Sequence, residues 1–185
     1  MTGFAVCGSF CNHERALNAM RDALELDELL PILSESTASI DTRFGTAAEF
    51  RRKAEEICGR RAFTGIAEAE TISGENKLDA LIVCPCTGNP LSKIAHGITD
   101  SCVTMAVKAH VRCRGFVVLA LATNDALSGS FPSLARLYDR KCFYFVPLAQ
   151  DAPNKKPTSL VCDFERLNET VRAARLGVQL QPFLP

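Results

Sequence analysis

The sequence predicts an α/β domain in which one mainly parallel sheet of five or six strands carries helices on both faces, and three observations point there. Short apolar runs alternate with segments of helical periodicity along the whole chain. Those runs are continuous rather than alternating, so both faces of each strand are buried. The 185 residues, 47% of them hydrophobic, suffice for one such domain, and no linker divides the chain.

Phe4 to Cys7 opens the series as a buried strand, and Glu14 to Leu26 follows with apolar residues at three- and four-residue spacing. Leu29 to Leu33 reads as the next strand and Ala47 to Cys58 as the next helix. A sixth strand is a candidate within Phe63 to Ile72, although Gly65 and a run of Glu and Ala speak against it. Strands then follow at Ala80 to Cys84, Phe116 to Leu121 and Cys142 to Val146, and helical patterns at Pro90 to Val111, Pro132 to Tyr138 and Phe164 to Leu176. The Pro- and Lys-rich stretch Asp151 to Thr158 lies between the last strand and the last helix and reads as a docking loop. Alternation of this kind implies right-handed crossovers. The expected architecture is one Rossmann-like or flavodoxin-like three-layer domain over residues 1–185.

Lys plus Arg equals Asp plus Glu at 21 each, which leaves no basic field for nucleic acid and points to a small ligand or another protein. Nine cysteines lie scattered within apolar runs, as free thiols of a reducing cytoplasm would. Cys7, Cys58, Cys102, Cys113, Cys142 and Cys162 read as core or surface residues. Met1 to Phe10 lacks a basic n-region and a small-residue cleavage site, and no segment approaches membrane-spanning length.

In doubly wound sheets ligands bind beyond the carboxyl ends of the strands, and five polar loops fall there. The first strand ends in Gly8-Ser9-Phe10-Cys11-Asn12 before a helix, where backbone N–H groups, a hydroxyl and a helix N-terminus could hold a phosphate. A plain tight turn with an N-cap reads equally well. The glycine fingerprint of dinucleotide sites is absent. The second strand ends in Ser34-Glu35-Ser36-Thr37, and Thr42-Arg43-Phe44-Gly45 precedes the next helix with a guanidinium that suits a carboxylate. The strongest constellation is Cys84-Pro85-Cys86-Thr87-Gly88-Asn89-Pro90, since Thr87, Gly88 and Asn89 combine donors with close backbone approach. Cys84 and Cys86 with His13 or His96 form only a weak zinc signal, and no metal site is expected. Cys11 and Cys86 fall near helix N-termini that could depress their pKa. Asp100 reads as a helix cap, and His96 and His110 as packing or surface groups. Thr123-Asn124-Asp125 follows the fourth strand, and Gln150 to Pro157, with Lys155 and Lys156, follows the fifth. Polar loops after so many strands suggest one shared pocket.

These loops resemble those of the B-subunit family of bacterial dipicolinate synthases. The likeness runs through Gly8-Ser9, Thr42-Arg43-Phe44-Gly45, Thr87-Gly88-Asn89 with Ser92-Lys93, Thr99-Asp100-Ser101, Thr123 to Leu127, Gln150 to Pro157 and the closing Gln179-Leu180-Gln181-Pro182. That family is similar to FMN-dependent cysteine decarboxylases and flavin prenyltransferases. Where the decarboxylases carry Pro-x-Ser-Ala-Asn-Thr, this chain has Pro85-Cys86-Thr87-Gly88-Asn89-Pro90, and of their second signature only Asn124 is retained cleanly. Their helix histidine has no counterpart within Arg43 to Cys58, and Arg43 cannot move a proton in its place.

The resemblance implies bound FMN, with Gly8, Ser9, Ser34, Thr87, Gly88, Asn89 and Thr123 as cofactor-binding residues and Arg43, Asn89, Asn124 and Lys155 as catalytic ones. It implies a homo-oligomer, and an oxidoreductase that works with a separate A subunit, itself the carrier of NAD(P), on a small dicarboxylate during sporulation. The hydride acceptor is either the flavin or that nicotinamide. Two alternatives stand beside this reading: an autonomous decarboxylase, opposed by the missing histidine, and a noncatalytic scaffold, opposed by the polar residues kept at several strand ends.

Overall fold

All five apolar runs form strands. In the computed structural model, which describes residues 1–185, these are β1 (Thr2–Val6), β2 (Leu29–Leu33), β3 (Ala80–Cys86), β4 (Val117–Thr123) and β5 (Phe143–Phe145). They pair in parallel in the order β2-β1-β3-β4-β5, every residue buried except the half-buried Thr123. The helices in chain order are α1 (His13–Ala23), α2 (Glu35–Ser39), α3 (Ala47–Cys58), α4 (Ile66–Glu70), α5 (Gly88–His96), α6 (Cys102–Arg112), α7 (Phe131–Tyr138) and α8 (Leu167–Arg175). Helix α1 packs on α3 and α8, while α4, α6, α5 and α7 form a second contiguous layer. Phe4, Leu17, Met20, Ile82, Leu119 and Phe145 are among the largest fully buried side chains of the core between them.

The structure departs from the sequence reading in four places. Two further strands, β6 (Leu148–Ala149) and β7 (Leu160–Cys162), extend the sheet antiparallel beyond the carboxyl end of β4, through Ala122↔Val161 and Thr123↔Leu160. They are too short for a periodicity to register, and the segment Asp151 to Thr158 therefore connects two strands rather than a strand and a helix. The candidate strand at Phe63 to Ile72 reduces to Phe63, which bridges Ile32 at the edge of β2, while α4 and a 3-10 turn take the rest. Glu68 decides this locally, because its carboxylate accepts from the N–H groups of Thr64 (2.8 Å) and Gly65 (3.0 Å) and caps α4.

The long helical pattern from Pro90 to Val111 is two helices. Gly97 ends α5 in the left-handed region (φ 73°), and Ser101 starts α6 in a reciprocal bond pair with Thr104, Oγ accepting at 3.2 Å and N–H donating at 3.1 Å. Helix α2 went unread because its five residues sit in a hydroxyl-rich run typical of turns. Its Ser34 cap accepts from the Thr37 N–H at 3.3 Å.

Candidate functional site

The strand order puts a topological switch at β1, whose neighbours β2 and β3 are reached by connections leaving in opposite directions. The crevice this opens lies beyond the carboxyl ends of β1 and β3. A cleft of about 320 Å³ occupies it. Gly8 and Phe10 line it from the β1 turn, Ser34, Glu35 and Ser36 from the start of α2, Thr87, Asn89 and Lys93 from α5, and Ser101 from ahead of α6.

Close packing sets the geometry of this cleft. A Cβ on Gly8 would lie 2.8 Å from Ser36 Oγ, so a larger residue would have to displace that hydroxyl where the β1 turn meets the α2 loop. A Cβ on Gly88 would lie 2.6 Å from Ser130 Oγ, 2.9 Å from Asp125 Oδ1 and 3.0 Å from Thr123 Oγ1, which seats the start of α5 against the loop after β4. Thr87, the N-cap of α5, spends no side-chain bond on the helix. Its hydroxyl and the first-turn N–H groups of α5 are therefore available to a ligand. Glu35 is already engaged, accepting from the Cys102 N–H at 2.8 Å, and Lys93 pairs with Asp100 at 2.9 Å. Asp100 is thus an ion-pair partner, while the cap of α6 is Ser101.

The residues singled out from sequence separate into three groups. Gly8, Ser34, Thr87 and Asn89 line the cleft, and Gly88 shapes it from behind. Ser9 does not line it: its Oγ accepts from Asn12 Nδ2 at 2.9 Å within the 3-10 turn Phe10–Asn12. Thr123, Asn124 and Lys155 belong to a second rim. Thr123 Oγ1 donates to Asp125 Oδ1 at 2.5 Å, the Asn124 carbonyl accepts from Thr158 Oγ1 at 2.7 Å, and Asn124 Oδ1 accepts from Ser159 Oγ at 3.4 Å. These bonds join the loop after β4 to the exposed β6–β7 segment that carries Lys155. The five loops thus form two groups that meet at Gly88, because the antiparallel β7 draws the fourth and fifth together while Thr123 and Asp125 pack against the start of α5. Arg43 stands apart on the exposed Thr42–Gly45 turn, its guanidinium 4.9 Å from the centre of the Phe44 ring.

Phe44 leads to a neighbouring cavity that sequence reasoning missed. About 140 Å³ in volume, it lies between α1 and α3 and is lined by Phe10, His13, Thr37, Phe44, Phe50 and Lys53 among others. The His13 ring stacks on Phe50 (centroids 4.3 Å apart) and meets Phe10 edge-on at 5.2 Å. Burial pushes its pKa below the usual histidine value, against the opposing effect of its bond to the Cys7 carbonyl. The only sequence signal was position, a histidine one turn beyond Gly8-Ser9.

Residues 15–141 match the model of the Flavoprotein family, which decides the class. The chain belongs to the flavoprotein family. It is 39% identical over 183 residues to the B subunit of dipicolinate synthase from Bacillus subtilis (strain 168), covering 98% of this chain and 92% of that protein. The crystal structure of the dipicolinate synthase B subunit from Bacillus halodurans C superposes with a TM-score of 0.90 at 37% identity, covering 100% of this chain and 95% of that one. An FMN-dependent cysteine decarboxylase, SpaF, shares the fold at a TM-score of 0.69 and 20% identity, over 95% of each chain.

The thiols of this flavoprotein chain correct one expectation. Cys86 does not gain reactivity from α5, because it is the buried last residue of β3 and desolvation raises its pKa well above the thiol norm. Burial likewise pushes Cys7 up to about 12. Cys11 is exposed, Cys102 and Cys162 are buried and Cys113 is exposed. His110 is buried with Nε2 3.0 Å from the Phe116 carbonyl, and His96 is exposed. No group of three or more His, Cys, Asp or Glu side chains is placed to hold a metal ion, and no helix is long and apolar enough to cross a membrane.

Proposed function

We propose that this flavoprotein is the B subunit of a dipicolinate synthase, and that its cleft holds FMN while the enzyme oxidises a dihydrodipicolinate-type precursor to dipicolinic acid. The observation that carries the reading is the cleft itself, a polar crevice at the β1/β3 switch point of a 2-1-3-4-5 sheet, within a chain similar end to end to the B subunit of the Bacillus subtilis enzyme. The residues present fit a mononucleotide. Gly8 leaves no room for a side chain of its own, Ser34, Ser36 and Ser101 offer hydroxyls, and Thr87 and the first turn of α5 offer donors without intrahelical partners. Lys93 is the cation among the cleft residues, and Phe10 supplies apolar surface.

Bound there, FMN would supply a two-electron acceptor. This chain's own part is to anchor the phosphate and ribose through Ser34, Thr87 and Asn89 and to keep water from the ring through Phe10. Arg43 and Lys155, on opposite flanks of the cleft, are the exposed cations offered to substrate carboxylates, and the segment carrying Lys155 is tied to Asn124 through Thr158 and Ser159. In this reading the chain works in the cytoplasm of a sporulating cell, as a homo-oligomer beside an A subunit that binds NAD(P).

Titration of the purified chain with FMN, followed by the visible flavin band, tests the cofactor assignment. Asn89→Ala should weaken binding by about ten- to a hundredfold, as loss of about 1.5–3 kcal/mol of hydrogen bonding to a charged ligand would, and Gly8→Val should weaken it to a similar degree by crowding Ser36 at the cleft wall. Unchanged affinity in both variants, or no flavin uptake by the parent chain, overturns it.

A further inference from the structure

The cavity between α1 and α3 shares only Phe10 with the cleft, and the cofactor contacts proposed above use none of its other walls. At about 140 Å³ it has room for a single substituted ring and not for a three-ring flavin. Three of its walls are phenyl rings, Phe10, Phe44 and Phe50, and a fourth is the imidazole of His13. His13 Nε2 lies 3.2 Å from the Cys7 carbonyl, which can only accept. That bond therefore makes Nε2 the N–H donor and leaves the lone pair of the neutral ring on Nδ1.

The charges around the pocket are balanced. Helix α1 contributes Glu14, while Lys53 of α3 pairs with Glu49 at 3.0 Å. The Thr42–Gly45 turn contributes Arg43 on the far side of Phe44, the 3-10 turn contributes the Cys11 thiol, and α2 with its C-cap brings only Thr37 and Ile40. An aromatic slot with an unprotonated imidazole in its wall and Arg43 beyond Phe44 suits a planar ring that must lose a proton.

Resting on the function proposed above, we propose that this pocket is the substrate subsite, taking the ring of the dihydropyridine dicarboxylate against Phe10, Phe44 and Phe50, and that His13 Nδ1 is the base that removes the proton during aromatisation. The step balances. The dihydropyridine loses one hydrogen with its electron pair as hydride to an oxidised flavin or nicotinamide. It loses a second as a proton to the Nδ1 lone pair, and the products are the aromatic pyridine, the reduced cofactor and an imidazolium. Burial keeps His13 unprotonated at neutral pH, which readies the base, and the open mouth lets the proton pass on to water.

The test follows the histidine imidazole resonances of the full chain, free of FMN, during titration with pyridine-2,6-dicarboxylate. The His13 signals should shift saturably while those of the exposed His96 stay in place. H13Q keeps a donor for the Cys7 carbonyl, so it should fold and bind FMN within about twofold of the parent while losing about tenfold or more in dicarboxylate affinity. In the two-subunit assay H13Q should lower kcat by about a hundredfold or more and abolish the fall in rate that the parent shows as pH drops through the His13 pKa. Dicarboxylate that leaves His13 unmoved, or an acid limb that persists in H13Q, overturns the proposal. Failure of FMN to bind would remove the cofactor assignment alone, since the dicarboxylate titration is read without flavin.

Discussion

Gln179 shows how much one side chain can decide. Its Oε1 accepts from the Phe145 N–H and its Nε2 donates to the Phe145 carbonyl, both at 2.8 Å, so a side-chain amide completes the free edge of β5 as a neighbouring strand would. Phe145 is fully buried, and without Gln179 both backbone groups lose their partner. Gln179→Ala should therefore cost about 2–3 kcal/mol. Urea unfolding should show this as a lower midpoint at unchanged slope, and Gln179→Glu should cost at least as much, because it sets a carboxylate oxygen against the Phe145 and Leu180 carbonyls. An unchanged midpoint would mean that Phe183, which packs on Tyr138 (4.7 Å) and Phe145 (6.0 Å), holds the tail by itself.

Elements decide which loops meet. Pairing of β7 with the last residues of β4 brings Lys155 beside Asn124 and away from the Gly8–Ser34–Thr87 cleft, while Arg43 stands on the opposite flank beside Phe44. Both cations remain exposed, with side chains that add nothing to the core. Arg43→Ala and Lys155→Ala should leave folding intact while lowering dipicolinate formation by the reconstituted two-subunit enzyme about ten- to a hundredfold at limiting substrate, the worth of about 1.5–3 kcal/mol of charge-assisted bonding. Steady-state assays with both subunits check this, and near-parental rates in both variants would place the dicarboxylate on the partner. A defect in Arg43→Ala alone would match a substrate held beside Phe44.

At the scale of the molecule, two histidines are folded in their neutral form. Burial lowers the pKa of His13 and of His110, in each case against a backbone hydrogen bond that acts to raise it. The unfolded chain then binds more protons than the native one as pH falls through the ordinary histidine value of about 6.5, so stability rises with pH across that window. Their contribution is fully present above it and is lost as pH drops through the lowered native pKa values. Chemical denaturation between pH 7.5 and pH 5 should show a decline in unfolding free energy, and His110→Gln should flatten it. A flat profile in the parent chain would mean that both imidazoles titrate as they do in the unfolded chain.

The sequence by itself determined the strands and most of the helices. A run such as Leu29 to Leu33 or Ala80 to Cys84 has no wet face, and burial on both sides is a local property written in consecutive residues. It also located the glycines and hydroxyls after β1 and β3, because strand-end loops carry ligands in any doubly wound sheet. The tertiary structure alone decided which of those loops share a cavity. Ser34 and Thr87 meet because β1 lies between β2 and β3, whereas Thr123 and Lys155 are drawn to a second rim by strands of two and three residues that leave no periodic trace. His13 became legible only once Phe50, 37 positions along the chain, stacked against it, because neighbours so far apart in sequence are brought together by packing and by nothing local.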